Sequence, residues 1–325
     1  MNKILHTQLT KMLKIDFPII QAPMFLVSNV SMAIEAANSG ITGCIPALNY
    51  RTIEDLRQAI INVQTNCDGP LGINLIVNKF NNSMMQQLDV CVELGVDYII
   101  TSLGNPKSTI DTCRPKGIKV FCDVVDLEQA KKVESLGADA IIAVNNQAGG
   151  HLGPMSPEYL IPLLVDNCSI PVISAGGVSN GDQLAKILKL GACGVSVGTP
   201  FIATHEAEVS EEYKQAIVDY GAKDIVVTDR ISGSKCTIIN TPYVQGISLK
   251  ANWIERFLFK NKWVKKYFKM LRWFMGTRMF KKSALQATYK SVWCAGPSLE
   301  GVYSIRHVSQ VVADILRPFM SEGDN

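Results

Sequence analysis

The chain has 325 residues, of which 47% are hydrophobic and 19% charged, and this balance excludes a disordered or fibrous protein. The length permits one large domain, or a large domain that carries a smaller one. The formal net charge of +3 is too small to indicate a nucleic-acid partner.

The chain start and the cysteine pattern indicate the cellular setting. The first ten residues lack the long apolar core of a secretory signal, and no run of about 18 apolar residues predicts a membrane span. The nine cysteines are scattered and contain no Cys-x-x-Cys pair, so neither a zinc site nor a disulfide framework is expected. We therefore predict a cytoplasmic protein without a metal site.

Strand-like and helix-like segments alternate along residues 17–200. Strands that alternate with helices form parallel β–α–β units, and eight of them close a (β/α)₈ barrel, or TIM barrel. An open doubly wound sheet would use the same turns, so the strand count favours the barrel within the α/β class. The predicted strands are 17–22, 41–45, 71–75, 98–101, 119–122, 140–144, 172–175 and 194–197. The predicted helices include 30–38, 53–64, 84–94, 127–136, 158–166 and 182–190.

This alternation ends near residue 205. The later pattern predicts a helix at 207–220, a short strand at 224–228 and an amphipathic helix at 308–316 that Pro318 ends. The chain is therefore expected to contain a barrel (1–205), a smaller, mostly helical elaboration (206–295) and a C-terminal segment that packs back on the barrel (296–325).

The segment 250–282 is basic and aromatic. It contains eleven Lys or Arg residues against the single acid Glu255, with tryptophan, tyrosine and phenylalanine residues between them. A solvated helical cap over the active site explains this composition. Attraction to an acidic carrier protein, a coenzyme A ester or an anionic membrane surface explains it as well. Nucleic-acid binding is disfavoured, because no recognition motif accompanies the charge.

The most informative motif follows the sixth predicted strand and reads Gln147-Ala-Gly-Gly-His-Leu-Gly153. Functional residues of a β/α barrel lie after the C-terminal ends of its strands. Glycine lets a flat ligand approach the main chain closely, and a positioned histidine can move protons at neutral pH. The motif therefore predicts a cofactor held against backbone, with His151 as the proton-transfer group.

Glycine-rich turns also follow the seventh and eighth predicted strands. They contain Ala175-Gly176-Gly177 and Val197-Gly198-Thr199, and each turn precedes a helix start. Backbone N–H groups at such positions bind anions, and the loops after the last two strands of a barrel commonly hold phosphate. Because two adjacent loops share this chemistry, phosphate binding is favoured over a purely structural turn.

Five motifs together resemble the nitronate monooxygenase family, formerly called 2-nitropropane dioxygenases. They read Pro18-Ile-Ile-Gln-Ala-Pro-Met24, Gly72-Ile-Asn-Leu75, Ala148-Gly-Gly-His-Leu-Gly153, Ser174-Ala-Gly-Gly-Val178 and Gly191-Ala-Cys-Gly-Val-Ser-Val-Gly-Thr199. The related enoyl-acyl-carrier-protein reductases that use FMN share these motifs. The resemblance covers about residues 15–205 and does not separate the activities.

The resemblance implies an FMN-binding TIM barrel with a small helical domain over the flavin. In this family the histidine that matches His151 abstracts the proton α to a nitro group, the flavin takes an electron from the nitronate, and oxygen completes the oxidation. The implied ring contacts are Ala22, Pro23, Met24, Asn74, Gly149 and Gly150. The implied phosphate contacts are Ala175, Gly176, Gly177, Val197, Gly198 and Thr199.

Three positions depart from the family pattern. Gln147 stands where the family commonly has an acid; we include it among the cofactor contacts, but its neutral amide cannot favour the imidazolium by charge. Asp123 stands where some relatives carry a lysine close to the flavin, and a carboxylate that faces the ring there would disfavour an anionic reduced flavin. Pro297 follows Ala-Gly where glutamine is usual.

Three functional hypotheses follow. The first is an FMN-dependent oxidoreductase that oxidises alkyl nitronates with oxygen, with His151 as the base. The second keeps FMN but uses NAD(P)H to reduce an enoyl thioester or a quinone. The third is a membrane-associated or scaffolding protein that uses 250–282 as its interface.

Overall fold

Eight parallel strands form the centre of the structure, and the first strand pairs with the last. The computed structural model describes residues 3–229, 234–246, 249 and 292–320. The central strands are β1 (Ile19–Gln21), β2 (Thr42–Pro46), β3 (Leu71–Ile76), β4 (Tyr98–Ser102), β5 (Lys119–Val124), β6 (Ala140–Val144), β8 (Val172–Ala175) and β9 (Gly194–Val197). They close a barrel in that order, so the predicted TIM barrel is confirmed.

Helices alternate with these strands, as predicted. They are α1 (Gln8–Leu13), α2 (Val30–Asn38), α3 (Ile53–Asn66), α4 (Met84–Glu93), α5 (Lys107–Cys113), α6 (Leu127–Leu136), α7 (Pro157–Asn167), α8 (Gly181–Lys189) and α9 (Thr199–Ile202). Helices α2 and α6 have the predicted bounds, because the side chains of Asn29 and Asp126 cap their first turns. Helix α5 was not predicted, since it is short and largely polar.

Side chains fill the lower interior of the barrel. The rings of Tyr98 and Phe121 stack with their centroids 5.1 Å apart, and both are fully buried. Gly72 leaves room for this pair, because a Cβ at Gly72 would lie 2.2 Å from Tyr98 Cζ. Space for a ligand therefore remains at the C-terminal ends of the strands, where barrels place their functional sites.

A small antiparallel sheet is built on the loop that follows β6. It consists of β7 (Gly150–His151), β10 (Ile225–Thr228) and β11 (Cys236–Ile239), with β11 in the middle. The strand predicted at 224–228 corresponds to β10, whereas β11 and its pairing with β7 were not predicted. Among the described residues of this region, two α-helices accompany the sheet, α10 (Glu211–Asp219) and α11 (Pro242–Gln245). Helix α10 begins later than the predicted residue 207, because the Ser210 side chain caps it.

The C-terminal helix α12 (Val308–Met320) packs against α2 and α8 of the barrel. The prediction that Pro318 ends this helix is wrong, because Pro318 lies inside its last turn. Phe319 is 8% exposed and belongs to the core, which favours one further turn. A Cβ at Gly181 would lie 2.4 Å from Pro318 Cδ, so the absence of a side chain there makes room for the proline ring.

The predictions for the basic segment 250–282 lie outside the described residues. Among the residues that the structure describes, no helix has both the length and the apolar character needed to cross a membrane.

Candidate active site

A cavity of about 810 Å³ opens at the C-terminal end of the barrel. Its volume lies within the range of roughly 300–1,000 Å³ that is typical of ligand pockets. Thirteen of the predicted site residues line this cavity: Ala22, Pro23, Met24, Asn74, Gly149, Gly150, His151, Ala175, Gly176, Gly177, Val197, Gly198 and Thr199. The barrel therefore brings together loops from five of its strands, as their positions in the sequence indicated.

Gln147 is the predicted residue that does not line the cavity. Its side chain packs against Gly177, where a Cβ would lie 2.1 Å from Gln147 Oε1. Its backbone N–H donates to Asn145 Oδ1 over 2.8 Å. Gln147 is therefore placed to hold the loop after β6 against the loop after β8, and its predicted contact with a cofactor remains a prediction.

Asn145 connects these two loops and was missed by the sequence analysis. It is fully buried, and its Nδ2 donates to the carbonyl of Gly176 over 3.1 Å. Its own carbonyl accepts a hydrogen bond from the N–H of Gly153. The available signal was a polar side chain directly after the apolar strand β6.

The glycines let the loops approach one another closely. A Cβ at Gly149 would lie 2.9 Å from both the backbone N of Gly296 and Thr199 Oγ1. Gly176 has a φ of +112°, and its Cβ would lie 2.5 Å from the backbone N of Ala148. A Cβ at Gly150 meets no atom of the described residues within 4 Å, so among these residues open space lies beside Gly150 in the cavity wall. This arrangement leaves room for a flat ligand against the main chain.

His151 is held in the cavity wall by the small sheet. It pairs with Cys236 of β11, and Thr237 Oγ1 donates to the carbonyls of Ala148 and Gly150 over 2.7 and 3.3 Å. The His151 side chain keeps surface open to the cavity, yet the surrounding protein lowers its pKa by desolvation. The imidazole is therefore neutral at pH 7 and can accept a proton.

Replacing Thr237 with valine tests this support. Thr237 is 2% exposed, and valine keeps its shape while removing the hydroxyl donor. We expect the free energy of unfolding to fall by about 1–3 kcal/mol, because the Ala148 carbonyl loses a buried partner. Urea unfolding measures this change. A Thr237→Ser variant keeps the hydroxyl and should recover part of the loss, whereas equal losses in both variants would contradict the explanation.

Three hydrogen-bonded polar side chains lie near the C-terminal ends of β3, β4 and β5. Ser102 Oγ lies 2.5 Å from Asp123 Oδ2, and Asn74 Nδ2 donates to Ser102 Oγ over 2.8 Å. All three residues line the cavity, so the departure noted at Asp123 places a carboxyl group in the site itself. Burial raises the pKa of Asp123 to about 6, and the Ser102 hydrogen bond opposes the rise. Ser102 was not predicted, because nothing local distinguishes it from other serines.

Pro297 begins a 3₁₀ helix, Pro297–Gly301, beside the cavity. The preceding Gly296 donates its N–H to Thr199 Oγ1 over 3.0 Å, and Ser298 lines the cavity. The C-terminal segment therefore contributes to the wall of the site.

The fold and the cavity define a (β/α)₈-barrel protein with a candidate ligand site lined by glycine-rich loops. A sequence model of the nitronate monooxygenase family matches residues 6–84 and 78–317 of the chain. The chain therefore belongs to the nitronate monooxygenase family, as the sequence resemblance implied, and it is an oxidoreductase.

Individual relatives carry different names. The chain is 30% identical over 285 residues to a probable nitronate monooxygenase of Staphylococcus saprophyticus, covering 74% of this chain and 80% of that protein. It is also 30% identical over 248 residues, covering 76% of this chain and 69% of the other, to the (3aS,4S,5R,7aS)-5-hydroxy-7a-methyl-1-oxo-octahydro-1H-indene-4-carboxyl-CoA dehydrogenase of Rhodococcus jostii.

Solved structures share the whole fold. FabK from Thermotoga maritima aligns with a TM-score of 0.85 and 29% identity, covering 98% of this chain and 97% of that one. A nitroalkane oxidase from Streptomyces ansochromogenes aligns with a TM-score of 0.76 and 22% identity, covering 97% and 98% of the two chains. At that identity the second likeness concerns the fold alone.

Proposed function

We propose that the protein is an FMN-dependent oxidoreductase that oxidises alkyl nitronates with oxygen, with His151 as the base that forms them from nitroalkanes. The observation that carries this proposal is the position of His151 beside the glycine pair of the cavity wall. Burial lowers the pKa of His151, so the form that accepts a proton is present at neutral pH.

The loops around the cavity fit FMN. Gly176 and Gly177 have φ values of +112° and +84°, which favour glycine. Both residues line the cavity, and because they have no side chains their main chain is exposed to a ligand. The turn at Gly198 and Thr199 lies beside them at the start of α9. We expect these two loops to hold the phosphate, and Gly149, Gly150, Asn74 and the loop 22–24 to contact the ring.

Each side chain of the site then has a physical task. Bound FMN supplies the electron acceptor, and oxygen is the final oxidant. Asp123 adds a negative charge to the cavity wall when it is ionised. Apolar side chains such as Pro23, Ile76 and Val125 line the cavity and exclude water from the reacting carbon. His151 Nδ1 or Nε2 accepts the α proton of a nitroalkane, and the small sheet holds the backbone of His151 in the cavity wall.

Anaerobic reduction of the FMN-loaded protein tests the proposal. The nitronate of 2-nitropropane should bleach the visible flavin absorbance, and admission of oxygen should restore it with turnover. An ethyl or butyl nitronate serves as a second substrate in the same assay. A bound flavin that none of these nitronates reduces would overturn the proposed substrate class.

A second candidate is an NAD(P)H-dependent flavin reductase that acts on an enoyl thioester. Two cations, Lys132 and Lys235, lie on the cavity wall and suit a substrate with phosphate groups. The 30% identity to a carboxyl-CoA dehydrogenase supports the same substrate class. An acidic carrier protein that binds the segment 250–282 would belong to this candidate.

The same anaerobic assay separates the two candidates. NADH or NADPH should bleach the flavin only if the protein is a reductase, and an enoyl-CoA should then reoxidise it. Lys235→Ala, compared with the exposed Lys107→Ala, should raise the KM for the thioester if the cavity lysine binds its phosphates. Failure of both nucleotides to reduce the flavin would eliminate this candidate.

A further inference from the structure

Three side chains on consecutive strands form a hydrogen-bonded chain at the cavity. Asn74 lies on β3, Ser102 ends β4 and Asp123 lies near the end of β5. The Asn74 amide nitrogen is 2.8 Å from Ser102 Oγ, which is 2.5 Å from Asp123 Oδ2. All three residues line the cavity, so this chain of bonds lies at the surface that a ligand would contact.

The carbonyl of Ile100 determines the orientation of the Asn74 amide. Asn74 Nδ2 donates to that carbonyl over 3.0 Å, and a carbonyl oxygen can only accept. The two N–H bonds of the amide are therefore directed at Ile100 O and Ser102 Oγ. Reversing the amide would place its oxygen against the carbonyl oxygen of Ile100. The Asn74 Oδ1 is consequently the amide atom left to serve the cavity as an acceptor.

The direction of the next bond depends on the charge of Asp123. Ser102 Oγ accepts from Asn74, so its own hydrogen is free to be donated to an ionised Asp123. Burial raises the pKa of Asp123 to about 6. When Asp123 is protonated, its acid hydrogen can be donated to Ser102, and the serine hydrogen is no longer bound to the carboxylate. The bond between Ser102 and Asp123 therefore reverses between mildly acidic and neutral pH.

We propose that Asp123 is a positioning residue that acts through the Ser102 hydroxyl to hold the Asn74 amide with Oδ1 presented to an N–H group of the bound flavin ring. This inference rests on the flavin site of the proposed function. It says which residue makes the contact between Asn74 and the flavin ring depend on pH. The ionised carboxylate draws the serine hydrogen to itself and leaves Ser102 as a good acceptor for Asn74. Protonation removes that polarisation and loosens the contact with the ring.

Other titratable groups surround the chain of bonds. Behind Asp123, burial raises the pKa of the Cys122 thiol to about 12 and that of Cys44 well above its ordinary value, so neither titrates near pH 6. Among the residues that the structure describes, the other titratable side chains of the cavity wall are Lys132, His151, Tyr213, Lys235, Cys236 and Cys294. Their contributions, and that of the FMN phosphate, are common to the wild type and to variants of Asp123.

FMN titrations without substrate test the proposal between pH 5 and 8. For the wild type, the dissociation constant should rise about threefold to tenfold as the pH falls through 6, the loss expected for one hydrogen bond. The visible absorbance band of bound FMN should shift over the same range. Asp123→Asn should lack this rise of the dissociation constant, once the pH dependence shared by both proteins has been subtracted. Asp111→Asn, an exposed change of the same kind, should retain it.

Two variants of Ser102 test the relay itself. Ser102→Ala should raise the FMN dissociation constant at pH 8 by about the same threefold to tenfold and should abolish its change near pH 6. Ser102→Thr keeps the hydroxyl and should retain both the wild-type affinity at pH 8 and the change near pH 6. Circular dichroism of each apoprotein verifies its fold. An unchanged pH step in Asp123→Asn, or equal binding by the two Ser102 variants, would overturn the proposal. A normal step in a protein that no nitronate reduces would overturn only the proposed substrate.

Discussion

Replacing His151 with alanine should lower kcat/KM for neutral nitroalkanes by about 10²–10⁴, the usual contribution of a positioned general base. FMN should remain bound, because most of its proposed contacts come from glycines and backbone groups rather than from the His151 side chain. Turnover of nitronates prepared beforehand should be retained to a far greater extent, since their α proton has already been removed. Steady-state oxygen consumption with the two substrate forms measures the difference.

The pH profile of the wild type provides a second readout of His151. A base must be deprotonated, so activity towards nitroalkanes should fall as the pH drops through the pKa of His151. Burial places this pKa below the ordinary value of about 6.5, so activity should persist to lower pH than for an exposed histidine. His307→Ala, a change at an exposed histidine next to Glu206, is the matched control. Full nitroalkane activity in His151→Ala would exclude His151 as the base.

Replacing Gly176 with alanine should lower the free energy of unfolding by about 2–5 kcal/mol and weaken FMN binding by more than about tenfold. A φ of +112° is strained for any residue with a Cβ. The new methyl group would also lie 2.5 Å from the backbone N of Ala148 and 2.6 Å from Asn145 Oδ1. Relief of these contacts must move the loop after β8 away from the loop after β6. Urea unfolding and FMN titration measure the two effects.

Gly117→Ala is the matched control for this change. Gly117 has a φ of +74°, but a Cβ there would meet no atom within 4 Å in the part of the chain that the structure describes. The substitution should cost only the backbone strain of about 1–2 kcal/mol and leave FMN affinity unchanged. If the two variants lose the same stability and bind FMN equally, the loops at the cavity are not held by the close approach of Gly176.

Local signals predicted much of the barrel. The bounds of β6, β8 and β9 agree with the prediction, because short apolar runs between glycine or polar turns have little alternative to a buried parallel strand. The helix ends at Pro318 and at residue 207 were misplaced. In both cases the outcome depends on packing: Phe319 belongs to the core, and the Ser210 cap selects the start of α10.

The sequence predicted those parts of the candidate site that consist of short, recognisable motifs. The glycine pair and His151 form a motif that can be recognised from a few adjacent residues. The barrel topology places the other glycine loops beside them. Asn145, Ser102 and Thr237 were not recognised, because each is an ordinary polar residue until its partner is known. Thr237 and the carbonyl of Ala148 are 89 positions apart, and no local pattern predicts such a pair.

The sequence by itself therefore determined the barrel, the strand ends that carry the site and the residue types that face the cavity. These properties follow from periodicity, turn chemistry and strand order, which act over a few residues at a time. Only the tertiary structure decided that β11 pairs with His151 and that Asp123 lines the cavity in a hydrogen-bonded chain with Ser102 and Asn74. It also lowered the pKa of His151, because burial changes a pKa only after the chain has packed.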